Sequence, residues 1–382
     1  MIPFEMESLL RPLEEFEAIR RRTARLGDRL CDLSYANPYE GVEGATRNVL
    51  RKALDAERLL DLQYSPFGGQ TLVRRAVADD LSARYGLPFA FDDVILTPGA
   101  MAALHLALRS VGEPGAEVII PTPCWLDYPL YARYLGLTPV LVPLSEGSFD
   151  IDVQAIADAL SERTCAVLLS HPSNPAGRNY DAASLQALAD LLNGTDQRIT
   201  LIADEVQRDF VATGDYRSIC QLYDATVLVY SFGKYHFLQG QRTGYLAISP
   251  QHPERTRLTA EVVRWTRVMG FHAPTSLMQI AIPELLSLQH DMRHIASWRE
   301  RMAAELQESG YRVAPADATL FVYVATPHQQ EDFAFIRQLA AAAVLALPAP
   351  LFHHRGWFRI SLTGAERMLE RGLAALRRLG AA

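Results

Sequence analysis

From residue 93 to residue 249 the sequence repeats one unit: a short, almost wholly apolar run, a turn, and then in most repeats a longer amphipathic stretch. Seven runs qualify as strands: "DVILTPG" (93–99), "EVIIPTP" (117–123), "TPVLVPL" (138–144), "CAVLLSHP" (165–172), "TLIADEV" (200–206), "TVLVYSFG" (226–233) and "TGYLAIS" (243–249). Helical periodicity fills the gaps at 100–111, 126–136, 153–162 and 182–194. Strands that read as unbroken apolar runs are covered on both faces, and alternation with helices makes successive strands parallel. The pattern predicts an α/β fold with a mostly parallel seven-stranded sheet sandwiched by helices.

The flanks differ. Helical stretches at 5–30, 45–60 and 71–86 are separated by the turn-rich "LSYANPYEG" (33–41) and "QYSPFGGQ" (63–70). After residue 253, two long helical stretches (255–270 and 274–310) precede the strand-like "LFVYVAT" (320–326) and "WFRISLT" (357–363). This predicts an N-terminal segment, residues 1–44, packing with a small C-terminal α+β domain, residues 266–382, around a large domain of residues 45–265.

Charge and cysteine usage narrow the class. A formal net charge of −7 gives no electrostatic reason to expect a nucleic acid or an anionic membrane as partner. Cys31, Cys124, Cys165 and Cys220 are far apart, with neither a CxxC pair nor a Cys/His ligand spacing, so no disulfide framework and no metal site is expected. The N-terminus carries acidic residues early and lacks the apolar core of a signal peptide or membrane anchor. These features predict a cytoplasmic globular protein.

In open parallel sheets, ligands sit beyond the C-terminal ends of the strands. The residues there are Gly99, Ala100 and Met101 opening a helix; Pro123 and Trp125; Asn174 in "HPSNPAG"; Asp204; and Ser231 with Lys234. Taken singly, each has a plainer reading. Gly99 is a tight turn, Trp125 a core residue, Asn174 a turn former, Asp204 a helix cap and Lys234 a solvated cation. Taken together, at successive strand ends on one edge, they form a set that one chemistry uses. Pyridoxal 5′-phosphate needs a lysine for its Schiff base, a carboxylate to keep the pyridine nitrogen protonated, and backbone N–H groups at a helix start for its phosphate. The freed lysine then serves as general base and acid.

The motifs "YSPFGG", "TPGAMAAL", "PTPCW", "HPSNPAG", "ADEVQRDF", "SFGKYHFLQGQRTGYL" and "FRISLT" follow one another along most of the chain. In that order they resemble the fold-type I pyridoxal-phosphate enzymes of the class I/II aminotransferase family, which includes aspartate aminotransferase-like proteins. The resemblance implies that Lys234 forms the Schiff base and Asp204 pairs with the pyridinium. It implies that Asn174 bonds the cofactor's 3′-oxygen and that Trp125 stacks on the ring. Gly99, Ala100, Met101, Ser231 and Arg242 would hold the phosphate, and Tyr64 would reach the phosphate of a neighbouring subunit in a homodimer. Arg359 would clamp the substrate α-carboxylate, a task suited to a bidentate guanidinium.

Two positions depart from the family pattern. Gln207 stands where a tyrosine usually contacts the 3′-oxygen; its amide donates a hydrogen bond but lacks the phenol's acidity and ring. Ala36 replaces a frequent glycine in the substrate-facing loop, beside Tyr35 and Tyr39. No second arginine stands out to clamp a distal carboxylate, which counts against a dicarboxylic substrate. The expectation is an aminotransferase moving an amino group from an L-amino acid to a 2-oxo acid by a ping-pong cycle in amino-acid biosynthesis. The alternative is a lyase, cyclase or oxidase that uses the same residues for β- or γ-elimination, decarboxylation or ring closure. A cofactor-sensing regulatory domain is a third reading, disfavoured because no basic helix-turn-helix segment precedes residue 33.

Overall fold

The computed structural model describes residues 4–38, 44–55, 63–211 and 216–380; Tyr39 lies outside the described residues. Its centre is a seven-stranded sheet made of the seven predicted runs: β2 (Val94–Thr97), β3 (Glu117–Thr122), β4 (Thr138–Pro143), β5 (Thr164–Ser170), β6 (Thr200–Asp204), β7 (Thr226–Ser231) and β8 (Gly244–Ile248). A short strand, β1 (Cys31–Asp32), precedes them in the chain. The strand order is β2-β8-β7-β6-β5-β3-β4, and only β8 runs antiparallel to its neighbours. The middle strands are apolar throughout because both faces are covered: Leu201, Ile202, Ala203 and Val229 have no exposed surface. Helices Ala100–Val111 and Arg255–Val268 pack together on one side of the sheet.

A second, three-stranded sheet has the order β11 (Leu347–Pro348), β12 (Trp357–Ser361), β9 (Phe321–Ala325) and is antiparallel. Strand β1 pairs in parallel with β10 (Val344–Leu345), which ties the segment after the first helix, Phe4–Thr23, to the C-terminal part of the chain. That pairing carries residues 33–37 onto β12, where the Ser361 N–H donates to the Leu33 carbonyl at 2.8 Å.

One expectation needs correction. The stretch 274–310 forms two helices, Ser276–Ser287 and Arg293–Glu308. No glycine breaks them. The intervening residues are drawn inward instead: the His290 N–H donates to the Tyr235 hydroxyl at 2.9 Å, and the His290 ring meets the His236 ring nitrogen at 2.9 Å. The first of these helices packs against helices Gly44–Leu54 and Thr71–Tyr85.

Candidate active site

The C-terminal ends of β5, β6 and β7 open into a cavity of about 300 Å³, closed on its other side by residues 35–37 and β12. Of the residues singled out in the sequence, Tyr35, Ala36, Ala100, Met101, Trp125, Asn174, Asp204, Gln207, Ser231, Lys234, Arg242 and Arg359 line it. Gly99 sits just behind the Arg242 guanidinium. Tyr64 does not line the cavity of its own chain; it is 98% exposed.

The floor is made by the sheet. Asp204 ends β6, and its Oδ1 accepts from the Val206 N–H at 3.1 Å while Oδ2 accepts from the Tyr128 hydroxyl. Burial raises the Asp204 pKa above the usual carboxylate range, against the lowering effect of these two donors and of Lys234. A carboxylate with two neutral donors in a desolvated place is stabilised by a cation beside it. Lys234 follows β7 in the short helical turn Phe232–Tyr235, whose entrance is capped by Ser231: its Oγ accepts from the Gly233 N–H at 3.2 Å. Burial, then the positive charge of Arg359, lowers the Lys234 ammonium from 10.5 to about 8; Arg242 acts in the same direction and Asp204 against it. At pH 7 such a lysine is still mostly ammonium, but its free-amine fraction is far larger than that of an ordinary lysine.

Gly99 caps the helix Ala100–Val111 at φ 86°, a left-handed conformation that glycine adopts without strain. A Cβ there would lie 2.6 Å from Arg242 Nη2, so the close approach of the arginine also requires glycine. Arg242 is itself left-handed (φ 48°), and its Nη1 donates to the Gln239 carbonyl at 3.0 Å. A helix start and a guanidinium thus face one spot, an arrangement made for a phosphate.

The wall is made by chain ends. Arg359, on β12, is 1% exposed, with its guanidinium 3.8 Å from the Phe321 ring centre and 4.9 Å from that of Phe352. Its Nη1 donates to Asn174 Oδ1 at 2.8 Å and its Nη2 to the Ser34 carbonyl at 3.0 Å, while Nε is buried without a partner among the described residues. Burial pulls this guanidinium's pKa down, and an incoming carboxylate offsets that cost. Asn174 spends its Oδ1 on Arg359, which leaves its Nδ2 to donate elsewhere. Tyr35 turns its hydroxyl away from the cavity, donating to Glu17 Oε1 at 2.9 Å. Ala36 is buried, and so is Gln207, whose Oε1 has no partner among the described residues.

The sequence reading missed Tyr128, Ser170, Asn37, Gln239, Leu104, Val206 and Phe321, of which all but Tyr128 line the cavity. Ser170 ends β5 and was within reach of the strand-end search. Tyr128 sits in the first turn of helix Tyr128–Tyr134, where its apolar spacing reads as core.

The residues present fit pyridoxal phosphate. The Gly99–Arg242 approach leaves an anion cradle, Asp204 offers a carboxylate and Lys234 an amine, and the buried donor Arg359 Nε lacks a partner among the described residues. Comparison with known proteins agrees. Residues 32–376 match the family model described as aminotransferase class I and II. A probable aspartate aminotransferase of Methanocaldococcus jannaschii is 24% identical, covering 85% of this chain and 88% of its own. An aspartate aminotransferase of Pyrococcus horikoshii is 27% identical over 82% of this chain and 83% of its own. Among solved structures, an amino transferase from Eubacterium rectale superposes with TM-score 0.90 at 25% identity, covering 99% of this chain and 98% of that one. A Thermus thermophilus aspartate aminotransferase mutant gives TM-score 0.86 at 24% identity, covering 96% of each chain.

Proposed function

The chain belongs to the class I and II aminotransferase family, and from that premise we propose how its residues divide the work. The protein is a pyridoxal-phosphate-dependent aminotransferase acting on an amino acid and a 2-oxo acid. The elimination, decarboxylation or ring-closure alternative is not favoured, since these relatives are named as aminotransferases. When bound, the cofactor supplies an aldehyde for the donor's amino group and a protonated ring that draws electrons from its α-carbon.

Lys234 would hold the aldehyde, and its Nζ would carry the α-carbon proton. Asp204 would keep the ring nitrogen protonated. The Asn174 and Gln207 amides would serve the 3′-oxygen, and Trp125 would pack on the ring. Ser231, Arg242 and the N–H groups after Gly99, from Ala100 and Met101, take the phosphate. Arg359 takes the donor's α-carboxylate beside Tyr35 and Ala36. The observation that carries this reading is the convergence of Asp204, Lys234, Asn174 and Arg359 on one cavity.

The cations lining that cavity among the described residues are Lys234, Arg242 and Arg359, and each has a task here. With Met101, Leu104, Val206 and Phe321 as apolar lining, this favours a donor with an uncharged side chain over the aspartate in the relatives' names. The full exposure of Tyr64, together with the exposed apolar side chains of Leu72 and Val268, supports a homodimer in which Tyr64 reaches the partner's phosphate. The division into residues 1–44, 45–265 and 266–382 belongs to the same reading, supported by the β1–β10 pairing. A cytoplasmic setting is supported by the four free cysteines. No helix among the described residues is long and apolar enough to cross a membrane.

The test is to mix holoenzyme with single amino acids. Stoichiometric loss of the cofactor's aldehyde absorbance, restored by a 2-oxo acid, is expected, with aspartate a poorer donor than an apolar amino acid. Ammonia or carbon dioxide released without an acceptor would sink the assignment.

A further inference from the structure

We propose that Gln239 is a positioning residue that sets the distance between the substrate-facing wall at residues 35–37 and Lys234; this rests on the aminotransferase reading above. The wall is a short loop held by its carbonyls. The Leu33 carbonyl accepts from the Ser361 N–H at 2.8 Å, that of Ser34 from Arg359 Nη2 at 3.0 Å, and that of Asn37 from the Thr363 hydroxyl at 2.8 Å. All three donors lie on β12 or in the two residues after it. They fix the loop to the strand that carries Arg359 and say nothing of its distance from the lysine.

The fourth tether has another origin. Gln239 Nε2 donates to the Ala36 carbonyl at 2.9 Å. Gln239 belongs to the turn that follows Lys234, and it is anchored there twice. Its carbonyl accepts from Arg242 Nη1 at 3.0 Å, and the Leu238 N–H before it donates to the Gly233 carbonyl at 2.9 Å. The contact with the lysine turn is close: a Cβ on Gly233 would lie 3.1 Å from Gln239 Cα. Among the described residues, this amide is the one side-chain tether from the lysine-bearing turn to the wall.

The two halves of Gln239 therefore serve different ends of the cavity. Its main-chain carbonyl orients Arg242 at the phosphate end and survives any side-chain change. Its side-chain amide holds Ala36, and with it Tyr35 and Asn37, at the amino-acid end. The α-carboxylate bound at Arg359 and the amino group delivered to Lys234 belong to one small molecule, so the span between wall and lysine must match it. Losing the amide loosens that span without touching the phosphate cradle.

The experiment compares wild-type, Gln239→Met and Gln239→Glu holoenzymes. Methionine keeps the length and removes the donor, whereas glutamate sets an acceptor against the Ala36 carbonyl. The probe is 2-methylalanine, which has no α-hydrogen, with its dissociation constant read from the cofactor's absorbance. Re-ordering the untethered wall on binding costs at most what one neutral hydrogen bond contributes, which predicts about a three- to tenfold rise in that constant for Gln239→Met, and a larger one for Gln239→Glu. The cofactor's dissociation rate and the melting temperature stay at wild-type values in Gln239→Met. Equal affinity in Gln239→Met and wild type overturns the proposal. So does a loss of cofactor in step with the loss of affinity, which would mark a general collapse of the turn. If wild-type holoenzyme transfers no amino group from any donor, the aminotransferase reading falls, while the affinity series still decides the role of Gln239.

Discussion

The floor and the wall of the cavity are built on opposite plans. The floor hangs from β5, β6 and β7, whose backbone groups are paired along the sheet and whose side chains are buried on both faces. Asp204 and Ser231 end their strands, and Lys234 lies three residues beyond Ser231, so their positions follow from the sheet. The wall has no such frame. Ser34 and Arg359 meet although 325 residues apart, through single hydrogen bonds and a two-residue parallel pairing. A rigid frame suits groups that handle one proton at one atom, whereas a wall of separable tethers suits a surface that meets each incoming substrate. Changes in the floor should therefore strike the chemical step, and changes in the wall should strike binding.

The sharpest break would come at Lys234. Lys234→Ala removes the group proposed to carry the α-carbon proton, and kcat is expected to fall by about 10³-fold or more. Stopped-flow measurement of a single half-reaction reads this directly; a loss confined to KM would erase the distinction between floor and wall. Arg359→Lys probes the other side. Lysine keeps the charge but loses the planar fork, leaving Asn174 Oδ1 and the Ser34 carbonyl short of a donor. The KM for the amino acid should rise about 100-fold, with kcat changed much less. A kcat loss as large as the KM rise would place Arg359 with the floor.

The same contrast decides how much the sequence reveals. All seven strands of the large sheet were legible, because a strand buried on both faces must be apolar along its length. The floor residues became legible with them, since a strand end tells where its next residues point. Arg359 and Ala36 were found only through resemblance to a family. Strands β1 and β10 that join their segments are two residues each, too short for any periodicity to register. Helix geometry hid Tyr128, whose spacing fits a core position although its hydroxyl meets Asp204. The break between helices Ser276–Ser287 and Arg293–Glu308 was illegible for a related reason: its cause is the docking of His290 on Tyr235 and His236, a contact across more than fifty residues.

Tyr128 gives the finest test, because it belongs to the floor by function but not by strand. Its hydroxyl donates to Asp204 Oδ2 and stabilises the ionised carboxylate against burial. Tyr128→Phe leaves the Val206 N–H as the remaining hydrogen-bond donor described there, with the Lys234 charge also favouring ionisation and the Glu205 charge opposing it. Losing one donor to a buried carboxylate costs about 1–3 kcal/mol. The sign is fixed: burial already raises the Asp204 pKa, and removing a donor to the charged form raises it further. The acid limb of kcat should then move to higher pH, and cofactor retention should fall about five- to 150-fold, by the same 1–3 kcal/mol. Phenylalanine fills the same volume, so any fall in melting temperature should be confined to pH values above the Asp204 pKa, where the carboxyl is charged. An acid limb that stays in place would reduce Tyr128 to packing, and the floor would then owe its charge balance to the sheet alone.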